Sequence, residues 1–308
     1  MTDAPDWFAQ ATHHWNDWSL DTLLAAKQAS AQSVSLVVPA RNEAATVGDV
    51  VARVRTSLME TAQLIDEIVV IDSDSTDDTY EVAEDAGAVV HRSAEIRPDL
   101  GSFPGKGEAM WKSLFVTRGD LIVFMDADLT DWDTHFVPGL LGPLLTSSAS
   151  LVKGFYERPF VSGSAELAYE GGRVTELVAR PLIALHFPEL AGLVQPLAGE
   201  WAVRRELLAS LSVPTGYAVE MAALIDTVRL HGPHAIAQVD LGRRAHRHQA
   251  LRDLGAMATQ ILAAAQRRLG GEVGASVALS QYEHQGDEVA AVRRDIPVVE
   301  RDPAATWC

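Results

Sequence analysis

The sequence predicts an α/β fold, a Rossmann-like, mostly parallel, doubly wound sheet with helices on its faces. Two observations carry this prediction. Short apolar runs alternate with helix-spaced segments over residues 33–150, at a period of roughly thirty residues, which is the signature of consecutive βαβ units. The run Leu121-Ile122-Val123-Phe124-Met125 is also continuously apolar, as a strand covered on both faces must be.

The elements follow in order. Residues 1–32 carry Trp7, Trp15 and Trp18 and then a short helical pattern through Leu20, Leu23 and Leu24, an arm that packs onto the main body. Residues 33–38 read as a strand ended by Pro39, and 46–59 as a helix through Val47, Val50, Val51, Val54 and Leu58. A second strand at 65–71 runs into an acidic turn and a helix to Asp85, and 87–91 is a short third strand. A Pro/Gly-rich loop over 98–107 leads to a helix at 108–116 and the fourth strand, which ends at Asp126. Beyond 151–153 the rhythm changes: helices are expected at 174–185, 220–230 and 251–269, a strand at 236–241, and a polar, partly disordered tail at 272–308. The chain therefore divides into an arm (1–32), a first unit (33–150), a second part (151–271) and the tail.

Composition narrows the function classes. Of the 308 residues, 47% are hydrophobic and 22% charged, values of an ordinary water-soluble domain. No stretch approaches the ~18 apolar residues of a membrane span. The single cysteine, Cys308, leaves no disulfide or thiolate centre, and the acidic start lacks the order of a signal peptide; together they point to the cytoplasm. A net charge of −17 argues against nucleic acid but leaves room for a small phosphorylated substrate in a local cationic cleft. The long apolar-faced helix at 251–269 suggests a homodimer.

Several loops carry groups suited to a nucleotide and a metal. Asp126-Ala127-Asp128 sets two carboxylates at a strand end, where open α/β sheets bind ligands, and hard oxygen donors of this kind suit Mg²⁺ or Mn²⁺ with a diphosphate. Pro39-Ala40-Arg41-Asn42-Glu43 can meet a base, ribose or phosphate, or can be a polar strand–helix loop. The turn from Asp72 to Asp78 fails as a calcium loop, because Asp77 stands where glycine is required and Ala83 where glutamate is; its Ser73 remains a ligand contact. Pro104-Gly105-Lys106-Gly107-Glu108 sets one cation at a helix start, and Gly171-Gly172-Arg173-Val174-Thr175 repeats that logic as a second anion site or as a plain turn. Glu220 opens a helix as a sugar-binding or catalytic acid, or as a charge that suits the helix dipole. Arg244, His246 and His248 follow the late strand, where histidine can serve Mn²⁺.

These segments resemble GT-A glycosyltransferases. More specifically, 171–182 (GGRVTELVARPL), 195–200 (QPLAGE), 216–220 (GYAVE), 235–242 (AIAQVDLG) and 244–247 (RAHR) resemble the glucosyl-3-phosphoglycerate synthases of actinobacteria, in content and in order, over roughly residues 20–270. The resemblance implies a GT-A fold with a nucleotide-sugar-binding domain at 33–150 and an acceptor-binding part at 151–271. It implies retaining transfer of glucose from UDP-glucose to the 2-hydroxyl of 3-phospho-D-glycerate with Mg²⁺ or Mn²⁺. By the same matching, Pro39, Ala40, Glu43, Ser73, Lys106, Asp126 and Ala127 bind the donor, with Leu197 and Glu220 facing the glucose; Arg41 is a donor contact from its place in the loop after the first strand alone. Asp128 and His246 hold the metal, Gly172, Arg173 and Thr175 take the acceptor, and Lys106, Glu220 and Arg244 serve catalysis. Arg41, Asp74 and His248 depart from the mycobacterial pattern, so mannosyl transfer from GDP-mannose stays open. Nucleotidyl transfer and non-catalytic nucleotide binding are the remaining alternatives.

Overall fold

The computed structural model describes residues 4–157, 160–162, 165–167, 172–244, 251–286 and 288–307. Its centre is an eight-stranded sheet. In chain order the strands are β1 (Thr12–His14), β2 (Val34–Ala40), β3 (Glu67–Asp72), β4 (Val89–Arg92), β5 (Leu121–Phe124), β6 (Leu151–Glu157), β7 (Trp201–Arg204) and β8 (Ile236–Arg243). Their spatial order is β1-β8-β6-β7-β5-β2-β3-β4. All pairings are parallel except the two made by β7, which runs antiparallel between β5 and β6.

Alternate residues of each central strand feed different cores, which is why the runs are apolar without interruption. Leu36, Val38, Ile68, Val70, Leu121 and Val123 join one buried cluster, and Val37, Val69, Ile71, Ile122 and Phe124 join the other. Helices Val47–Val54 and Phe136–Thr146 cover the first face; helices Lys106–Ser113 and Val219–His231 cover the second. The expected helix at 46–59 continues past Val54 as a π-helical segment, Arg55–Thr61.

Four features depart from the sequence reading. The arm enters the sheet, because β1 pairs in parallel with β8, while Trp7 donates its indole N–H to Pro233 O at 2.7 Å. The sheet also runs across the boundary expected at 150/151, since β6, β7 and β8 all come from beyond it. The short β7 lies in a segment rich in turn residues and was not foreseen. The tail is built as well: Ser276–Gln285 and Glu288–Pro297 form an antiparallel hairpin. Its inner positions Val277, Leu279 and Ile296 pack beside Ala256 and Ala263 of helix Leu251–Arg268. Its short apolar runs at 277–279 and 289–292 are flanked by the mostly polar 280–285 and 293–295, so the segment reads as polar overall; a two-stranded ribbon gains its stability from the helix beneath it.

Candidate active site

The carboxyl ends of β2, β3 and β5 open into a cavity of about 500 Å³. Pro39, Ala40, Arg41, Glu43, Ser73, Lys106, Asp126, Ala127, Asp128, Gly172, Arg173, Thr175, Leu197, Glu220 and Arg244 all line it. His246, the remaining residue singled out from sequence, lies outside the described residues, as do Gly171 and His248.

Two loops zip together to form one wall. Ser73 N–H donates to Ala40 O at 2.9 Å, Asn42 N–H to Ser75 Oγ at 2.9 Å, and Glu43 N–H to Thr79 Oγ1 at 2.8 Å. Asn42 sits at φ 57, a left-handed conformation its short polar side chain tolerates, and its Oδ1 accepts from Thr76 N–H at 2.8 Å. The acidic turn thus serves the backbone of its neighbour. Asp77 takes the N–H and hydroxyl of Thr79 at the start of helix Thr79–Asp85, and these bonds hold its carboxyl below the usual range.

The floor is a charge cluster. Lys106 Nζ lies 2.6 Å from Asp126 Oδ1 and 3.0 Å from Glu220 Oε1. Arg244 Nη2 donates to Asp126 Oδ2 at 2.9 Å and to Asp128 Oδ1 at 3.1 Å. Its Nη1 donates to Tyr156 Oη at 2.6 Å and Glu200 Oε2 at 3.1 Å. Burial would raise the carboxyl of Asp126, but the ammonium of Lys106 and the guanidinium of Arg244 outweigh it and hold Asp126 well below its ordinary value. Asp128 goes the other way: burial and then the negative charge of Asp126 push it up. Lys106 is raised, because Asp126 and Glu220 outweigh the cost of burial.

Four carboxylates (Asp126, Asp128, Glu200, Glu220) thus share this floor with Lys106 and Arg244, and Lys153 is buried close to Glu220 and Glu200. The two strand-end carboxylates fit a divalent cation of the Mg²⁺ or Mn²⁺ type, which takes one or two carboxylates and completes its shell with phosphate oxygens. Among the described residues no set of three protein ligands converges.

Close backbone approach shapes this floor at two glycines. A Cβ at Gly199 would collide with the Asp126 carboxylate, and one at Gly107 with the carbonyl of Pro214. Gly107 N–H instead donates to Gly216 O at 3.2 Å and Glu108 N–H to Thr215 O at 2.9 Å, so the helix bearing Lys106 is stitched to the loop leading to Glu220. Arg301, from the tail, pairs with the buried Glu108, its Nε 2.8 Å from Oε2.

The opposite wall begins at Gly172, with φ 90, where a helical segment opens with Arg173 and Val174 and continues as Thr175–Ala179 and Arg180–His186. Arg180 ties it to the strip carrying Leu197, donating to Val194 O at 2.7 Å. Sequence reasoning missed Tyr217, Met257 and Gln260, which also line the cavity, and Tyr156, Lys153 and Glu200 behind it. Gln260 accepts from Tyr217 N–H and donates to Pro297 O, each at 2.9 Å, joining three elements at the cavity mouth. A carboxylate in the otherwise apolar stretch 196–203 was the one available signal, for Glu200.

Comparison with known proteins places this geometry. Residues 35–175 match the family model "Glycosyl transferase family 2". The glucosyl-3-phosphoglycerate synthase of Mycolicibacterium smegmatis is 47% identical over 96% of each chain, and that of Petrotoga mobilis is 41% identical over 96% of this chain and 93% of its own. The crystal structure of the Mycobacterium tuberculosis glucosyl-3-phosphoglycerate synthase in complex with Mn²⁺, UDP and phosphoglyceric acid superposes with a TM-score of 0.86 at 42% identity, covering 96% of this chain and 98% of that one. The same enzyme with Mg²⁺ and UDP gives 0.85 at 43% identity over 97% and 99%.

Proposed function

The chain belongs to the glucosyl-3-phosphoglycerate synthase family, and from that premise we propose that it transfers glucose from UDP-glucose to the 2-hydroxyl of 3-phosphoglycerate, with retention at the anomeric carbon. The observation that carries the reading is the single continuous cavity. It joins the nucleotide-facing loops of β2 and β3, the carboxylates after β5 and the second anion-suited helix start at Arg173. A donor diphosphate and a phosphorylated acceptor each need a cationic contact in one space, and Lys106 and Arg244 on the floor and Arg173 on the opposite wall all line this cavity.

In this reading Pro39, Ala40, Arg41, Glu43, Ser73, Asp126 and Ala127 hold UDP, and Gly172, Arg173 and Thr175 hold the acceptor phosphate and carboxylate. Asp128, with His246, holds the metal. A bound Mg²⁺ or Mn²⁺ supplies charge stabilisation to the diphosphate. Lys106 and Arg244 offset the charge that grows on the leaving phosphates, an interaction that strengthens toward the transition state. Glu220 orients the sugar together with Leu197. Its Oε1 is committed to Lys106 at 3.0 Å and its side chain is 6% exposed, which disfavours attack on the sugar. The acceptor proton then leaves to the departing phosphate. A glucosyl adduct trapped on Glu220 would overturn this assignment.

The deciding experiment incubates the enzyme with UDP-glucose or GDP-mannose, 3-phosphoglycerate and Mn²⁺ or Mg²⁺, and identifies the product by NMR. Release of UDP with an α-glucosyl product is expected. Turnover with GDP-mannose alone, or release of pyrophosphate, would refute the reading. The proposal also places the enzyme in the cytoplasm as a homodimer, in keeping with the lone cysteine and with the exposed Leu251 and Leu262 on helix Leu251–Arg268; light scattering of the purified chain tests the dimer.

A further inference from the structure

Behind the cavity wall Tyr156, Glu200 and Arg244 form a closed triangle. Arg244 Nη1 donates to Tyr156 Oη and to Glu200 Oε2, and the tyrosine hydroxyl donates its own proton to that same Oε2 at 2.7 Å. The three residues are 2%, 0% and 3% exposed. Tyr156 and Glu200 do not line the cavity, whereas Arg244 does. The tyrosine ring is held in turn, stacked on Phe136 with an interplanar angle of 10°. The Arg244 backbone is fixed where its N–H meets Glu157 O, just beyond β8.

A guanidinium is a rigid planar fork, so two acceptors on one terminal nitrogen set the plane and thereby the position of the other. Here the other nitrogen, Nη2, points to Asp126 and Asp128. We infer that Tyr156 and Glu200 are positioning residues for the transfer reaction: they grip Nη1 so that Nη2 is presented at the strand-end carboxylates where the donor diphosphate binds. The inference rests on the role proposed above for Arg244. An arginine buried to this depth also needs a counter-charge that is not lent to the ligand, and Glu200 supplies one facing away from the cavity. Asp126 and Asp128 are thereby left able to exchange partners when a ligand enters.

A merely structural triangle would lower stability and leave the chemistry alone. The test therefore uses the full-length enzyme and a double-mutant cycle of Tyr156→Phe and Arg244→Lys, reading kcat, both KM values and the melting temperature. Tyr156→Phe keeps the ring and removes only the bridging hydroxyl. It is expected to lower kcat roughly tenfold or more, as small misplacements of catalytic groups do, with the 3-phosphoglycerate KM within about twofold of wild type. In the Arg244→Lys background the same change is expected to have no further effect. Glu200→Gln provides a second, shape-conserving arm with the same non-additivity. Equal slowing by Tyr156→Phe in the two backgrounds, or wild-type kcat in Tyr156→Phe and Glu200→Gln, would overturn the inference while leaving Arg244 in place. Wild-type kcat in Arg244→Lys itself would remove the role of Arg244, and the inference with it.

Discussion

The floor and the rim of the cavity are built on opposite principles. On the floor, Lys106, Asp126, Glu220, Arg244 and Glu200 neutralise one another at 2.6–3.1 Å, in pairs whose partners stand up to 118 residues apart, backed by buried chain. On the rim, Arg41 is exposed and Ser73, Gly172 and Arg173 are half-buried; the loops of Arg41 and Ser73 are bonded to each other, and Gly172 and Arg173 stand at the start of a helical segment. The floor holds its charges in place before any ligand arrives, which is what electrostatic catalysis requires. The rim keeps its groups accessible, which is what selective binding requires. The same residue types therefore carry different consequences when altered.

The sharpest way to break this contrast is Lys106→Met. It strips the cation from Asp126 and Glu220 together, and kcat is expected to fall by about 10²–10³-fold, measured by steady-state UDP release. A fall confined to KM would move Lys106 to the rim class. Arg173→Ala tests the rim itself. It is expected to cost about 2–3 kcal/mol of acceptor binding, roughly 30- to 150-fold in the 3-phosphoglycerate KM, with kcat little changed. An unaltered acceptor KM would leave the second anion site without its main contact.

Gly107→Ala probes the scaffold beneath the floor. The new methyl meets the Pro214 carbonyl, so thermal stability is expected to drop by about 1–3 kcal/mol, followed by calorimetry. Lys153→Met sharpens the picture by the smallest margin. Lys153 is buried, donates to Ala198 O at 2.5 Å, and is brought down to about 7 by desolvation, which the nearby carboxylates of Glu220 and Glu200 only partly oppose. Between about pH 7 and its unfolded value near ~10.4, the unfolded chain holds the extra proton. Stability should therefore rise with pH across that window, with the full penalty present below it. Lys153→Met is expected to flatten that rise in denaturant titrations; an unchanged slope would show that Lys153 stays charged in the folded protein.

How much of this was legible in the chain differs between floor and rim. The rim residues sit in short motifs after strands, so Ser73, Gly172 and Arg173 could be named from their neighbours. The halves of the floor could also be named singly, as Lys106 between two glycines, Asp126 and Asp128 after an apolar run, and Glu220 at a helix start. Tyr156 and Lys153 could not, because a tyrosine and a lysine in a strand have no local signature, and Glu200 offered only the weak signal of a carboxylate among apolar neighbours. Nor could the hairpin at 276–297, whose mixed polar and apolar strands become meaningful only against the helix they cover.

The sequence by itself determined the α/β class, the strand-end placement of the polar loops and the family. The first two depend on hydrophobic period and on turn chemistry, which act within a dozen residues, and the third on the resemblance of several motifs in their order along the chain. The tertiary structure alone decided which cation answers which carboxylate, that β7 enters the sheet against its neighbours, and that the tail's Arg301 braces the helix of Lys106 through Glu108. Coulomb energy depends on distance in space and on burial, neither of which is written in spacing along the chain. Lys106 and Glu220, separated by 114 positions in the numbering, become a pair at 3.0 Å only when two helices and a loop have closed over them.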